Sequence, residues 1–268
     1  MTTTAPSPQK LLTRSFVIVT LENFLVAMNY YLLIIVVSKF ATDEFGVSTA
    51  LAGFSASIFV IGGLVARPLC GKWIHRVGQT RTLYAGALLN LVMTLLYFAA
   101  ANVGLLLLIR FIHGASFGIL SVAAGTAIAG VVPRKRYGEG IGYYTLSITV
   151  ATAIGPFVGL LLGRHGGFDS IIIACAIAAA IGVVILPFLS LREPELTKEQ
   201  LEETKGFRPR NFIEPNVVPV ALVMMLVFLC YSGVVSFLAL YAENIQLETV
   251  AGYFFVVYAA AILLTRPF

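Results

Sequence analysis

Eight apolar stretches of about 20 residues, each long enough to cross a hydrocarbon core of ~30 Å, run roughly over residues 15–38, 49–70, 82–101, 103–130, 140–163, 168–190, 217–241 and 249–268. Only 12% of the residues are charged, 59% are hydrophobic and the mean hydropathy is +0.92. A soluble domain carries about twice that charged share. The sequence therefore predicts an all-α, polytopic membrane protein. Its first apolar stretch is too long for a cleaved signal peptide and lacks a small-residue cleavage site.

Lysine and arginine set the expected orientation. With the amino terminus cytoplasmic, that side holds Lys10, Arg14, Arg67, Lys72, Arg76, Arg81, Arg134, Lys135, Arg136, Arg192, Lys198, Lys205, Arg208 and Arg210, while the outer loops keep Lys39 and Arg164. This bias accounts for the net charge of +5 and the pI near 9.2 without a nucleic-acid partner. The expected location is the cell membrane. Cys70, Cys175 and Cys230 stand alone in or beside apolar stretches, without the paired spacing of a metal site or redox couple. Neither a metal nor a cofactor is expected.

An Arg67-Pro68 pair returns 199 positions later as Arg266-Pro267, and in the same register Ala52-Gly53-Phe54 falls on Ala251-Gly252-Tyr253. A parallel repeat of that length in a helical membrane protein is the mark of a secondary transporter. The expected organisation is a six-helix bundle over 1–190, a cytoplasmic linker over 191–216 and the first two helices of a second bundle over 217–268. Within the linker, Thr197 to Gln200 fits a capping box that starts a short helix. The chain is expected to be truncated, since a mirrored second bundle would add four helices after Phe268.

Between the second and third stretches lies Gly71-Lys72-Trp73-Ile74-His75-Arg76-Val77-Gly78-Gln79-Thr80-Arg81. This segment resembles the cytoplasmic signature of the major facilitator superfamily, a glycine-led hairpin with an acid, an arginine and a second glycine. A tight turn needs glycine at Gly78, and Arg76 and Arg81 suit a helix carboxyl end or an acid. The resemblance implies an inner-gate clamp drawing on Arg67, Gly71, His75, Arg76, Gly78 and Arg81. His75 stands where the family usually has aspartate, which leaves open weakened gating, pH-dependent gating or a decaying gene.

Two further segments resemble the drug:proton antiporter branch of that superfamily. In the fourth stretch, Leu108-Ile109-Arg110-Phe111-Ile112-His113-Gly114 places an arginine shortly before a glycine. An arginine ~10 Å into the core is costly unless it faces a cavity or a partner; snorkelling to the outer surface is the alternative. By depth, Asn29, Tyr30 and Tyr31 are its expected polar neighbours. In the fifth stretch, Ala151 to Gly159 resembles the signature centred on a glycine-proline pair, with Leu160 replacing the final glycine. Ala151, Gly155, Gly159 and Gly163 form a small-residue stripe, and Pro156 permits a bend. The resemblance implies a hinge at Gly155, Pro156 and Gly159 between two bundles; plain helix packing gives the same stripe.

Glu22 is the one acidic side chain inside the expected spans away from their ends; the other twelve, Asp169 at the start of the sixth stretch among them, fall in loops or at helix ends. A carboxyl group withdrawn from water resists ionisation, so Glu22 is the candidate proton carrier, as a helix-one carboxylate often is in the resembled branch. The alternatives are a permanently neutral hydrogen-bonding group or a place at the interface. His113, three positions from Arg110, is a candidate proton relay or a packing residue. Tyr144, Thr145 and Thr149 give the fifth helix polar tips suited to weakly polar organic compounds. Gly114-Ala115-Ser116-Phe117-Gly118 matches a hydrolase nucleophile pattern, but that chemistry needs a strand-to-helix turn, so these glycines are expected to pack and no enzyme is expected.

Taken together, the resemblance implies a proton-coupled exporter of small organic molecules, with a small-molecule substrate, protons and the lipid bilayer as partners. A truncated, non-transporting membrane protein and a sugar or nutrient uptake permease of the same fold are the alternatives.

Overall fold

Helices one, two and four begin where a local side chain supplies a missing backbone partner. The computed structural model describes residues 10–191 and 215–230, together with positions 245, 254, 257, 258, 260, 261, 264 and 265. Helix α1 spans Arg14–Phe45; Thr13 caps it by accepting from Phe16 N, and Gly46 closes it with a left-handed φ of 61°. Helix α2, Thr49–Val77, starts at the Ser48 cap, and α3 covers Gln79–Leu96. Helix α4, Val103–Val131, is capped by Asn102, whose side chain accepts from Leu105 N, and stops before Pro133, which cannot extend it. A last helical run, Tyr137–Ile185, is broken at Gly167 (φ 66°, ψ −164°). We number its two parts α5, residues 137–166, and α6, residues 168–185.

Six helical segments are long and apolar enough to span a bilayer, so the protein is a multi-pass membrane protein. Many of its large apolar side chains are exposed, among them Leu64, Phe157 and Val184. In water such a surface would drive association; in a bilayer it is the lipid-facing surface.

Contacts divide the chain into two units, Met1–Leu196 and Thr197–Phe268. The six helices belong to the first. In the second, the described residues include an apolar helix, Pro215–Cys230. The Arg266-Pro267 half of the repeat, the capping box at Thr197 and most of the expected linker lie outside the described residues.

Two small-residue seams bring backbones together. Along α2 and α4, a Cβ at Gly62 would strike the Phe111 carbonyl, one at Gly114 would strike the Phe59 carbonyl, and one at Gly118 would lie 2.7 Å from Gly63 O. Gly114 and Gly118 are therefore packing residues, as their mid-helix position suggests. Along α1 and α5, a Cβ at Gly155 would lie 2.5 Å from Tyr31 Cβ and one at Gly159 2.8 Å from Leu32 O. The fifth-helix stripe thus packs on α1, the outcome that plain helix packing gives. A Cβ-free face lets the two backbones touch.

The interior holds two apolar clusters with a polar layer between them. One, with Phe16, Val19, Val26, Ile74, Leu83 and Ile128, fills the end that carries the start of α1. The other, with Leu33, Val37, Leu106, Ile109 and Ile171, fills the opposite end. Between them lie Asn29, Asn90, Thr94, His113 and Ser116, all buried.

Candidate functional site

Arg110 is wholly buried at 0% exposure. Its Nε donates to Ser55 O at 3.0 Å, its Nη2 to Ala56 O at 3.3 Å and its Nη1 to the Tyr97 hydroxyl at 3.3 Å. The guanidinium carbon also stands 4.6 Å from the Phe59 ring centre. Snorkelling is thereby ruled out. Of the expected neighbours, Tyr30 lies within electrostatic reach of Arg110 and packs tilted against the same Phe59 ring, at 5.1 Å between centroids, but the hydrogen bonds of Arg110 go to α2 and to Tyr97 and to none of Asn29, Tyr30 and Tyr31. Helix carbonyls keep a second lone pair after bonding within the helix, and the planar fork of arginine fits two of them and a hydroxyl at once.

From Arg110 a directional chain runs through the polar layer. Tyr97 accepts from Arg110, so its own proton is available to His113 Nδ1, 3.0 Å away. The other ring nitrogen, Nε2, lies 2.9 Å from Asn90 Oδ1, which can only accept. These partners assign the ring proton to Nε2. Asn29 reaches the same layer from α1, donating to Thr94 Oγ1 and to Cys175 O at 3.3 Å each, and Thr94 in turn donates to Asn90 O at 2.8 Å. Arg110, His113 and Asn29 therefore belong to one network, although Arg110 and Asn29 do not touch within it.

Glu22 is 2% exposed and its Oε2 has no hydrogen-bond partner among the described residues. Its flanking residues Val19 and Val26 belong to the apolar cluster. Asn23, beside it, is fully engaged with α5: it accepts from the Tyr144 hydroxyl at 3.0 Å and donates to Ser147 Oγ at 2.9 Å. Tyr144, placed by the sequence on a substrate surface, is instead a buried cross-helix donor. A tyrosine between two packed helices buries its ring and needs a partner for its hydroxyl. Thr145 and Thr149 remain half-buried, their hydroxyls bonded to Ile141 O and Thr145 O.

Tyr30 and Tyr31 are half-buried. Tyr30 also packs 5.6 Å from Phe117, and the Arg67 guanidinium stands 5.9 Å from that same ring. These rings make an aromatic patch from α1, α2 and α4.

At the α2–α3 junction the expected glycine-led hairpin is corrected in part. Helix α2 continues through Gly71, His75 and Arg76 to Val77, and a Cβ at Gly71 would meet nothing within 4 Å. The turn is the single residue Gly78, at φ 95°, in the region that favours glycine. Around it His75, Arg76 and Arg81 are exposed.

Sequence reasoning missed Asn23, Asn90, Thr94 and Tyr97. An amide inside an apolar span is itself a signal, and Asn23 and Asn90 carried it. The carbonyls of Ser55 and Ala56 carried none.

The Major Facilitator Superfamily model matches residues 19–268. The chain belongs to this superfamily. It is 27% identical over 225 residues to Multidrug resistance protein 1 of Bacillus subtilis, a match that covers 84% of this chain and 57% of that protein. It is also 29% identical over 152 residues to the galactose-proton symporter of Escherichia coli K12, covering 55% of this chain and 32% of that one. The inward-open xylose transporter XylE from E. coli superposes with a TM-score of 0.61 at 17% identity, over 94% of this chain and 69% of that one; it supports the fold alone. The chain spans about half the length of the curated relatives it matches.

Proposed function

We propose that this superfamily chain belongs to a proton-coupled exporter of small organic molecules, set in the cell membrane with its amino terminus cytoplasmic. One observation carries the proton part. Glu22 is sheltered in the bundle at 2% exposure with an oxygen that no hydrogen bond holds. An unpaired charge there is costly, so the carboxyl exchanges its proton when the surroundings change between conformations. Similarity to a multidrug resistance protein supports export of organic compounds.

In this reading residues 1–190 form the first bundle, 191–216 a cytoplasmic linker and 217–268 the start of a second bundle. The half-buried Tyr30, Tyr31 and Phe117 rings, with Thr145 and Thr149, offer the weakly polar surface that such substrates need. Arg110, His113 and Asn29 order the polar layer across which the helices shift. Gly155, Pro156 and Gly159 let α5 move against α1. Arg67, Gly71, His75, Arg76, Gly78 and Arg81 form the cytoplasmic gate. No covalent chemistry takes part.

Glu22→Gln is expected to abolish proton-driven efflux from cells while leaving the amount of protein in the membrane unchanged. Efflux with the parent's pH dependence in that variant would remove Glu22 as the carrier. A second reading, proton-linked sugar uptake, is favoured by the similarity to the galactose-proton symporter. Accumulation of a labelled hexose in cells that make this protein would select it over export.

A further inference from the structure

The two helices that enclose Glu22 run antiparallel with a nearly constant register. The Arg14 guanidinium lies 5.0 Å from the Phe188 ring centre, and Ser15 donates to Ser190 O at 2.8 Å. Further along, Asn29 donates to Cys175 O at 3.3 Å, and Phe40 stacks on Phe168 at 3.8 Å. In that register Glu22 faces Gly182. A Cβ placed on Gly182 would lie 2.6 Å from Glu22 Oε2 and 3.2 Å from its Cδ. Glycine here does not serve backbone conformation; it makes the space that the carboxyl group fills.

A second observation marks the same seam. Three buried side-chain oxygens of α1 have no hydrogen-bond partner among the described residues, Thr20 Oγ1, Glu22 Oε2 and Asn29 Oδ1, and the last two lie seven positions apart on the face that meets α6. At 1.5 Å per residue they are separated by about 10 Å along the helix. Opposite them α6 presents Cys175, Ala179 and Gly182, all buried. On the other side of α1, Asn23 is held by Tyr144 and Ser147 of α5. Turning α1 to aim Glu22 elsewhere would break those bonds.

We propose that Gly182 is the positioning residue of the proton site, and that the proton is held in the α1–α6 seam and not on the aromatic patch facing α2 and α4. The proposal rests on Glu22 being the proton carrier and adds where its carboxyl must sit. Proton and substrate then occupy different sides of α1. Their coupling passes through the packing of that helix, and they do not compete for one spot. Among the described residues, the buried titratable groups on the helices packed against α1 are Cys70 on α2, Arg110 and His113 on α4, Tyr144 on α5 and Cys175 on α6. None of them bonds to the Glu22 carboxyl.

The test is an infrared pH titration of the purified protein in lipid, following the protonated-carboxyl band that Glu22→Gln removes. Gly182→Ala is expected to move the midpoint of that band by about one pH unit, a tenfold change in proton concentration. Adding Glu22→Asp, which withdraws the carboxyl by one methylene, should return the midpoint towards the parent value. If Gly182→Ala does not fold, the double variant should recover folding, because the clash is with the carboxyl. An unmoved midpoint in folded Gly182→Ala, or a double variant that restores neither folding nor midpoint, overturns the proposal. A band unaffected by Glu22→Gln instead sinks the carrier itself, so the two failures are told apart.

Discussion

The Tyr97 hydroxyl stands 3.0 Å from His113 Nδ1 while accepting from Arg110 Nη1 at 3.3 Å. One oxygen therefore joins the end of α3 to two residues of α4, one turn apart. Remove it and two buried donors or acceptors lose a partner together.

Tyr97→Phe is expected to destabilise the bundle by about 1–3 kcal/mol, because Nδ1 of a buried histidine is left without its donor. Thermal unfolding in detergent, followed by tryptophan fluorescence from Trp73 or by circular dichroism, measures the loss. Unchanged stability would mean that the hydroxyl chain contributes nothing to the fold.

Arg110→Lys keeps the charge but not the fork. A single ammonium cannot reach Ser55 O, Ala56 O and Tyr97 together. Each lost hydrogen bond from a charged donor is worth about 1.5–3 kcal/mol, so the lysine variant should unfold more readily than Tyr97→Phe. Equal or greater stability of Arg110→Lys would show that charge alone, not geometry, matters at this site.

Gly114→Ala places a methyl group into the Phe59 carbonyl across the α2–α4 seam. Overpacking against backbone costs about 1–3 kcal/mol or more. Gly125→Ala, on the same helix with nothing within 4 Å of its would-be Cβ, should stay within about 1 kcal/mol of the parent or gain from better helix propensity. The contrast is read from the yield of folded protein and from its unfolding temperature; similar behaviour of the two variants would discount the seam.

The α2–α3 turn makes an internal comparison between its two glycines. Gly78→Ala must adopt φ near 95° with ψ near 147°, a strain of about 1–3 kcal/mol. Gly71→Ala sits in regular helix with open space around it and should be neutral or slightly stabilising. Hydrogen exchange at the amides flanking the turn would report the difference, and equal protection in both variants would contradict it.

Much of this architecture was legible before any coordinates. Spans of the right length, the breaker residues between them and the one acid deep within them follow from local composition, and a bilayer leaves such segments little choice but helix. Gly78 as the turn was readable too, because a one-residue reversal needs φ that only glycine takes easily. The identity of Glu22 as a buried carboxyl needed nothing more than its place among Val19, Leu25 and Val26.

What the chain alone left open was direction around each helix axis. Depth along the membrane pairs Arg110 with Asn29, Tyr30 and Tyr31, yet its hydrogen bonds reach α2 carbonyls and Tyr97, because rotation about α4 and the glycine contact at Gly114 aim it there. The same holds for Tyr144, turned into Asn23, and for Gly155 and Gly159, turned onto α1. Gly182 had no local signal at all. Sequence spacing fixes which residues share a helix face; only the packing of six helices decides what that face meets, since the partner lies many residues away and its acceptor is as often a backbone carbonyl as a side chain.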